Sequence, residues 1–159
     1  AMLGRVARAF AAAAPAAARL IVKPHPLDPG LAPWRRIAEE AAPGRTLWLD
    51  GGDLGALHGR LAGVVTANST AGLTALRAGV PVAALGSAVY EDLCWRGDLE
   101  GFFRAPPPRP DPARVRAFTR ALAAATQVPG HFDGPRMQAG AEAVAERILA
   151  RAHASRAAA

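Results

Sequence analysis

Two short segments concentrate the residue types that hold and move charge. Lys23-Pro24-His25-Pro26 sets a cation and an imidazole in a backbone stiffened by prolines. Both side chains can donate to a phosphate. An imidazole can also protonate or orient a leaving group, so His25 is the candidate catalytic residue. Asn68-Ser69-Thr70-Ala71-Gly72 combines small polar side chains with a glycine. At a helix start such a run offers free backbone N–H groups, two hydroxyls and the positive end of the helix dipole to an anion. Each dipole contribution is worth only about 0.3–1 kcal/mol at an exposed site, so several donors must converge. Gly72 lets a ligand or a neighbouring backbone come close. The binding candidates are therefore Lys23, His25, Asn68, Ser69, Thr70 and Gly72.

Each candidate also has an ordinary explanation. Ser69 or Thr70 can be a plain helix N-cap, and a histidine beside prolines can be a loop or core residue. Other chemistries find less support. There is no Walker A motif and no Gly-x-Gly-x-x-Gly, which argues against ATP and NAD. No His, Cys and carboxylate cluster has metal-ligand spacing. Ser69 is not in a Gly-x-Ser-x-Gly elbow, which disfavours a hydrolase triad. Glu39-Glu40 reads as a solvated helix face.

The elements that must position these segments alternate along the chain. Residues 3–14 carry Leu3, Val6, Phe10 and Ala14 at helical spacing. Residues 19–22 read as a short buried strand stopped by Pro24 and Pro26. Pro33 opens a second helix with Trp34, Ile37 and Ala41 on one face. Residues 46–49 form the next strand, closed by Asp50-Gly51-Gly52. Asp53 caps a short helix carrying Leu54, Leu57 and Leu61. A third strand at 63–67 leads into a helix that starts at Asn68-Ser69-Thr70 and stops at Gly79. A fourth strand spans 81–85. Residues 92–110 read as a long loop with Pro106-Pro107-Pro108 as a stiff connector. Helices then fill 111–155, with Val115, Phe118 and Leu122 on one face and Met137, Ala141, Val144, Ile148 and Ala152 on the other helix's face.

Strand and helix in alternation predict a parallel sheet with right-handed crossovers. The expected fold is a Rossmann-like α/β domain over 2–155, with helices on both faces. Ligands bind beyond the carboxyl ends of strands in such sheets, and both dense segments fall there.

Composition bounds the rest. The chain has 159 residues, 51% hydrophobic and 20% charged, with a formal net charge of +6. That length suits one α/β domain with a real core. The arginines are scattered without a block of like charge, and no nucleic-acid module is present, so no nucleic-acid partner is expected. The charge suits a nucleotide or an anionic membrane face. The lone Cys94 excludes an internal disulfide and fits a reducing compartment. No run reaches the roughly 18 apolar residues of a membrane span. The expected place is the cytoplasm, with peripheral association at the inner membrane. Arg5 and Arg8 before an alanine run imitate a secretion signal, but the helical spacing favours an ordinary helix. Ala1 reads as a residue preceding a native start at Met2.

Taken jointly, these segments resemble the bacterial capsule polysaccharide biosynthesis proteins. Val22-Lys23-Pro24-His25-Pro26-Leu27-Asp28-Pro29 is similar to the His-Pro motif of that family. Ala67 to Leu76 is similar to its Asn-Ser-Thr-x-Gly-x-x-Ala-Leu stretch. The likeness continues through Gly79-Val80-Pro81-Val82 and Leu85 to Tyr90, and later from Leu122 to Phe132. It covers most of residues 19–133.

The resemblance implies a retaining β-Kdo glycosyltransferase of the GT-B type, with two Rossmann-like lobes and the active site between them. This chain is similar to the carboxyl-terminal lobe, the half that holds CMP. By that likeness His25 would contact the donor phosphate or support departure of the leaving group. Ser69 and Thr70 would bind the phosphate of CMP-Kdo, as a comparable motif does in sialyltransferases of related fold. No cofactor is implied beyond this substrate nucleotide sugar. The chain as read opens with a helix, where the resemblance would first supply an amino-terminal lobe with its acidic catalytic residues and the opening strand of the second lobe. The expected partners are that missing lobe, a partner chain or a second copy, covering an exposed sheet edge. The expected function is a donor-binding lobe inactive alone. The alternatives are a non-enzymatic partner or scaffold subunit in capsule biosynthesis or export, and a lobe of a UDP-sugar enzyme.

Overall fold

A computed structural model describes residues 2–25, 27–105, 107–131 and 133–157. Pro26 of the His-Pro segment, Pro106 of the proline run and Phe132 of the tail lie outside the described residues. Residues 1–115 form one compact unit and residues 116–159 another.

The first unit opens with α1 (Met2–Ala13), which buries Val6, Ala7 and Phe10 on one face. β1 (Leu20–Val22) pairs in parallel with β2 (Thr46–Trp48), and Val22 stands opposite Trp48. Between them runs α2 (Trp34–Ala41), which buries Ala38. β3 (Val64–Thr66) pairs in parallel with β4 (Val82–Ala84), joined by α3 (Thr70–Arg77). Gly79 ends this crossover at φ +77°, a conformation glycine adopts without a Cβ penalty.

The fold is thus mixed α/β with parallel pairing at the expected places. Among the described residues the pairing forms two separate two-stranded ladders, β1–β2 and β3–β4. Burial is uneven as well. β4 carries Val82 and Ala83 at 1% and 3% exposure, whereas every residue of β1 and β3 is half-buried. Parallel strands are stable when both faces are covered, and β4 comes nearest to that.

Small side chains let the layers meet. Ala7 and Ala42 are fully buried beside Phe10, with Leu20 and Phe103 packed around them. The rings of Phe10 and Phe103 meet edge to face at 5.4 Å. Phe103 belongs to α4 (Leu99–Arg104), which lies inside the 92–110 stretch that reads as loop in the sequence. Asp98 caps α4 by accepting from the Gly101 N–H at 2.5 Å, and Phe102 is 4% exposed. A six-residue helix is too short to print a periodic pattern; burial of its two aromatic rings is what holds it. A 3₁₀ turn at Glu91–Leu93 precedes it. Asp53 does cap the short 3₁₀ helix at Leu54–Arg60, accepting from Gly55 N–H at 2.8 Å.

α5 (Pro112–Thr126) runs from the first unit into the second, which also holds α6 (Met137–Ala157). The Arg147 guanidinium of α6 donates to the carbonyls of Gln127 at 2.6 Å and Ala124 at 3.3 Å, capping the end of α5. Met137 and Ile148, which helical spacing aligns on one face of α6, are 55% and 63% exposed. Helical spacing marks which residues share a stripe; it does not by itself supply a surface to cover that stripe.

Candidate functional site

The β3–α3 turn is built almost entirely from the Asn-Ser-Thr segment. Ser69 is the N-cap of α3, and its hydroxyl accepts from Ala71 N–H at 3.2 Å. The Ser69 N–H reaches Thr66 Oγ1 at 3.4 Å, tying the cap back to the end of β3. Asn68, Ser69 and Thr70 are exposed, and Gly72 is buried.

Gly72 is explained by Tyr90. The tyrosine is 2% exposed, and its hydroxyl donates to the Ser69 carbonyl at 2.5 Å. A Cβ on residue 72 would lie 2.8 Å from Tyr90 Cζ. The glycine therefore makes room for a buried ring. Burial, with a smaller contribution from Cys94, pushes the Tyr90 hydroxyl above its ordinary value. The phenol stays protonated and remains a donor to the turn. In the sequence Tyr90 is only the last residue of a family-like run; its aromatic type gives no sign of where the ring goes.

Ser69→Ala should lower stability by about 1 kcal/mol, the usual cost of losing such a cap. Ser69→Asp should retain most of it, because the carboxylate caps and also suits the helix dipole. Urea unfolding of the two variants checks this, and equal losses would contradict the capping role.

Lys23 and His25 follow β1. Lys23 is half-buried and His25 exposed. His25 Nδ1 accepts from Leu27 N–H at 3.1 Å, and the His25 carbonyl accepts from Asp28 N–H at 2.9 Å. The imidazole thus shapes its own turn. Among the described residues no hydrogen bond or ion pair joins this segment to residues 68–72, and the two segments follow strands of different ladders.

The carboxyl edge of β1–β2 holds a further group that spacing alone does not pick out. Trp34 Nε1 donates to Asp28 at 2.9 Å, and the same carboxylate accepts from Gly30 N–H at 2.8 Å. Trp48 Nε1 donates to Asp50 at 2.6 Å. Arg35 lies 3.6 Å from Asp50 and stands over the Trp48 ring, 5.6 Å from its centroid. These residues come from the β1–α2 loop, the start of α2 and the end of β2. Only the pairing of β1 with β2 brings them to one edge.

A separate cavity of about 390 Å³ lies at the other end of β4, lined by Pro81, Val82, Trp95, Arg109 and Arg114 among others. Trp95 N–H donates to Val82 O at 2.8 Å there. Cys94 beside it is half-buried, and burial raises its thiol above the ordinary value against smaller opposing effects from the Ala84 backbone and Arg96. Among the described residues no helix is long and apolar enough to cross a membrane.

Comparison with known proteins matches residues 1–133 to the capsule polysaccharide biosynthesis protein family. The chain is 33% identical over 135 residues to the capsule polysaccharide modification protein LipB of Neisseria meningitidis serogroup A, covering 80% of this chain and 32% of that protein. A LipB from serogroup B matches equally well. It is 32% identical over 133 residues to the capsule polysaccharide export protein KpsS of Escherichia coli, covering 79% of this chain and 34% of that protein. The chain thus spans about a third of the length of these relatives. No solved structure matches with significance.

Proposed function

We propose, from the premise that this chain belongs to the capsule polysaccharide biosynthesis protein family, that it serves as a non-enzymatic partner or scaffold portion in capsule polysaccharide biosynthesis or export. The observation that carries the reading is how the motif residues are spent. Ser69 caps α3, Gly72 accommodates Tyr90, and His25 closes its own turn. Each has a sufficient role in the fold without a substrate. The names of the relatives, a modification protein and an export protein, support the same setting.

A second reading has one specific observation in its favour. Asn68 and Thr70 are exposed at the start of α3, where an anion would meet the positive helix end. On that reading the parallel ladders belong to the Rossmann-like donor half of a GT-B β-Kdo glycosyltransferase. His25, Lys23 and the 68–70 turn would then hold CMP-Kdo, with a UDP-sugar as the variant to separate by a nucleotide panel.

Calorimetric titration with CMP, CMP-Kdo and UDP separates the readings. The scaffold reading expects no heat of binding at millimolar nucleotide. Saturable binding that His25→Ala and Ser69→Ala abolish would overturn it in favour of the donor lobe. In capsule-producing cells, a gene copy carrying His25→Ala should still support surface capsule. Loss of capsule with normal protein level would also overturn it.

A further inference from the structure

We infer that the cavity at the amino end of β4 binds a small aromatic carboxylate, its ring against Pro81, Pro107 and Trp95 and its carboxylate on Arg109 and Arg114. The inference goes beyond the scaffold reading and does not rest on it.

The cavity measures about 390 Å³, and its lining residues all belong to the first unit. Small-molecule pockets run from about 300 to 1,000 Å³. The floor is apolar and already packed: Pro81 and Pro107 are buried, and Val82 and Val115 are 1% and 3% exposed. Half-buried Trp95 and Pro110 continue the wall. Trp95 is held at two points, its backbone N–H on Val82 O at 2.8 Å and its indole N–H on Asp98 O at 2.9 Å. Proline rings have no rotamer freedom to lose, so such a wall costs little to order when a guest enters. Proline rings and aromatic faces are complementary surfaces, which is how aromatic-lined grooves take proline-rich segments. Here the prolines form the wall, and an aromatic ring is the matching guest.

The rim supplies the charge. Arg96, Arg109 and Arg114 are exposed there, together with Asp92 and Asp111. Both carboxylates are already engaged. Asp92 pairs with Arg96, and Asp111 accepts from the Ala113 N–H at 2.8 Å. Arg114 donates to the Asp92 carbonyl at 3.1 Å, and Arg109 reaches the Gly79 carbonyl at 3.5 Å, the outer limit of a hydrogen bond. Among the described residues neither of these two guanidiniums is in an ion pair. Arg109 stands between Pro108 and Pro110, which restrict its backbone. Three guanidiniums against two carboxylates leave one positive charge above an apolar floor. A guanidinium fork with unused N–H donors matches a carboxylate. A monoanion with a ring-shaped apolar body satisfies both parts of the cavity.

Cys94, the chain's single cysteine, also lines the cavity and reports on its occupancy. Titration of the full chain with 2-naphthoate should shift the Trp95 indole N–H resonance in a saturable way and leave Trp34 and Trp48 still. At about ten times the Kd it should slow iodoacetamide alkylation of Cys94 about tenfold. Neutral 2-naphthamide carries the same ring and should bind about tenfold more weakly, the scale of one charge-assisted contact. Arg109→Gln and Arg114→Gln should each weaken 2-naphthoate binding about tenfold. Arg35→Gln, which removes a charge outside the cavity, should leave it unchanged. The inference is overturned if millimolar 2-naphthoate leaves either the Trp95 resonance or Cys94 alkylation unchanged. It is equally overturned if 2-naphthamide binds as tightly, or if both cavity arginine variants, folded, bind like wild type. The nucleotide titration tests the scaffold reading without reference to this cavity, so the two can fail separately.

Discussion

Arg45→Ala should lower the free energy of unfolding by about 3 kcal/mol, the largest effect expected from any single side chain outside the apolar core. The guanidinium donates to the carbonyls of Ala11 at 3.3 Å, Ala14 at 3.2 Å and Pro15 at 2.7 Å. It also stands over the Phe10 ring, 4.5 Å from the centroid. These carbonyls include the last of α1, which have no intrahelical donor, and a cation there also complements the dipole. Hydrogen bonds to a charged group contribute about 1.5–3 kcal/mol each, and the contact with the ring about 1 kcal/mol more. One effect opposes them: Arg45 Nε is buried without a hydrogen-bond partner, which costs about 1–3 kcal/mol in the native protein and is relieved by truncation. The net loss remains large because the bonds to the half-buried Ala11 and Ala14 carbonyls and the contact with the Phe10 ring go together, although the exposed Pro15 carbonyl keeps the Ala18 N–H. Arg45→Lys should recover part of it, since a lysine keeps the charge but not the fork. Urea unfolding checks the order wild type, Lys, Ala; a lysine variant as stable as wild type would show that charge alone suffices.

Gly72→Ala should cost about 2 kcal/mol. Two effects oppose each other. Alanine in a helix is favoured over glycine by about 1 kcal/mol. Against this, the new methyl meets Tyr90 Cζ at 2.8 Å and Cε2 at 3.0 Å. Forcing an extra carbon into a packed site typically costs about 1–3 kcal/mol. The upper end applies here, because the ring is 2% exposed and its hydroxyl is anchored on Ser69 O. Strain therefore wins. Tyr90→Phe alone should cost about 1 kcal/mol, by removing one of the two donors to the Ser69 carbonyl, which keeps the Gly72 N–H at 2.9 Å. In the double variant the losses should add to less than their sum, since removing the hydroxyl relieves part of the clash. Strict additivity would mean that Tyr90 and residue 72 do not compete for the same space.

Much of this architecture is legible in the order of residues. Apolar spacing at Val6 and Phe10 places α1, Pro33 opens α2, Ser69 caps α3 and Gly79 stops it. The four strands fall within a residue or two of where β-branched and apolar runs stand between turn residues. These features follow from nearest-neighbour chemistry: helical periodicity, missing N–H groups, positive φ and side-chain caps act within a few residues. α4 escapes the same rules because its stability comes from burying Phe102 and Phe103 against distant elements, not from a pattern of its own.

The site divides in the same way. The sequence by itself determined that Lys23, His25 and residues 68–70 follow strands, and that a serine stands where a helix begins. It left open whether Gly72 faced a ligand or the protein. Only tertiary structure shows what stands against Gly72: Tyr90, which returns to the turn from 18 residues later to fill the space. Tertiary structure likewise decided that Trp34, Arg35 and Trp48 share an edge. Their meeting is set by parallel pairing of β1 with β2, a long-range contact for which neither tryptophan carries a local signal. Periodicity and capping are short-range and can be read along the chain. Packing and register are long-range, and they assign to the same residues the work that they do.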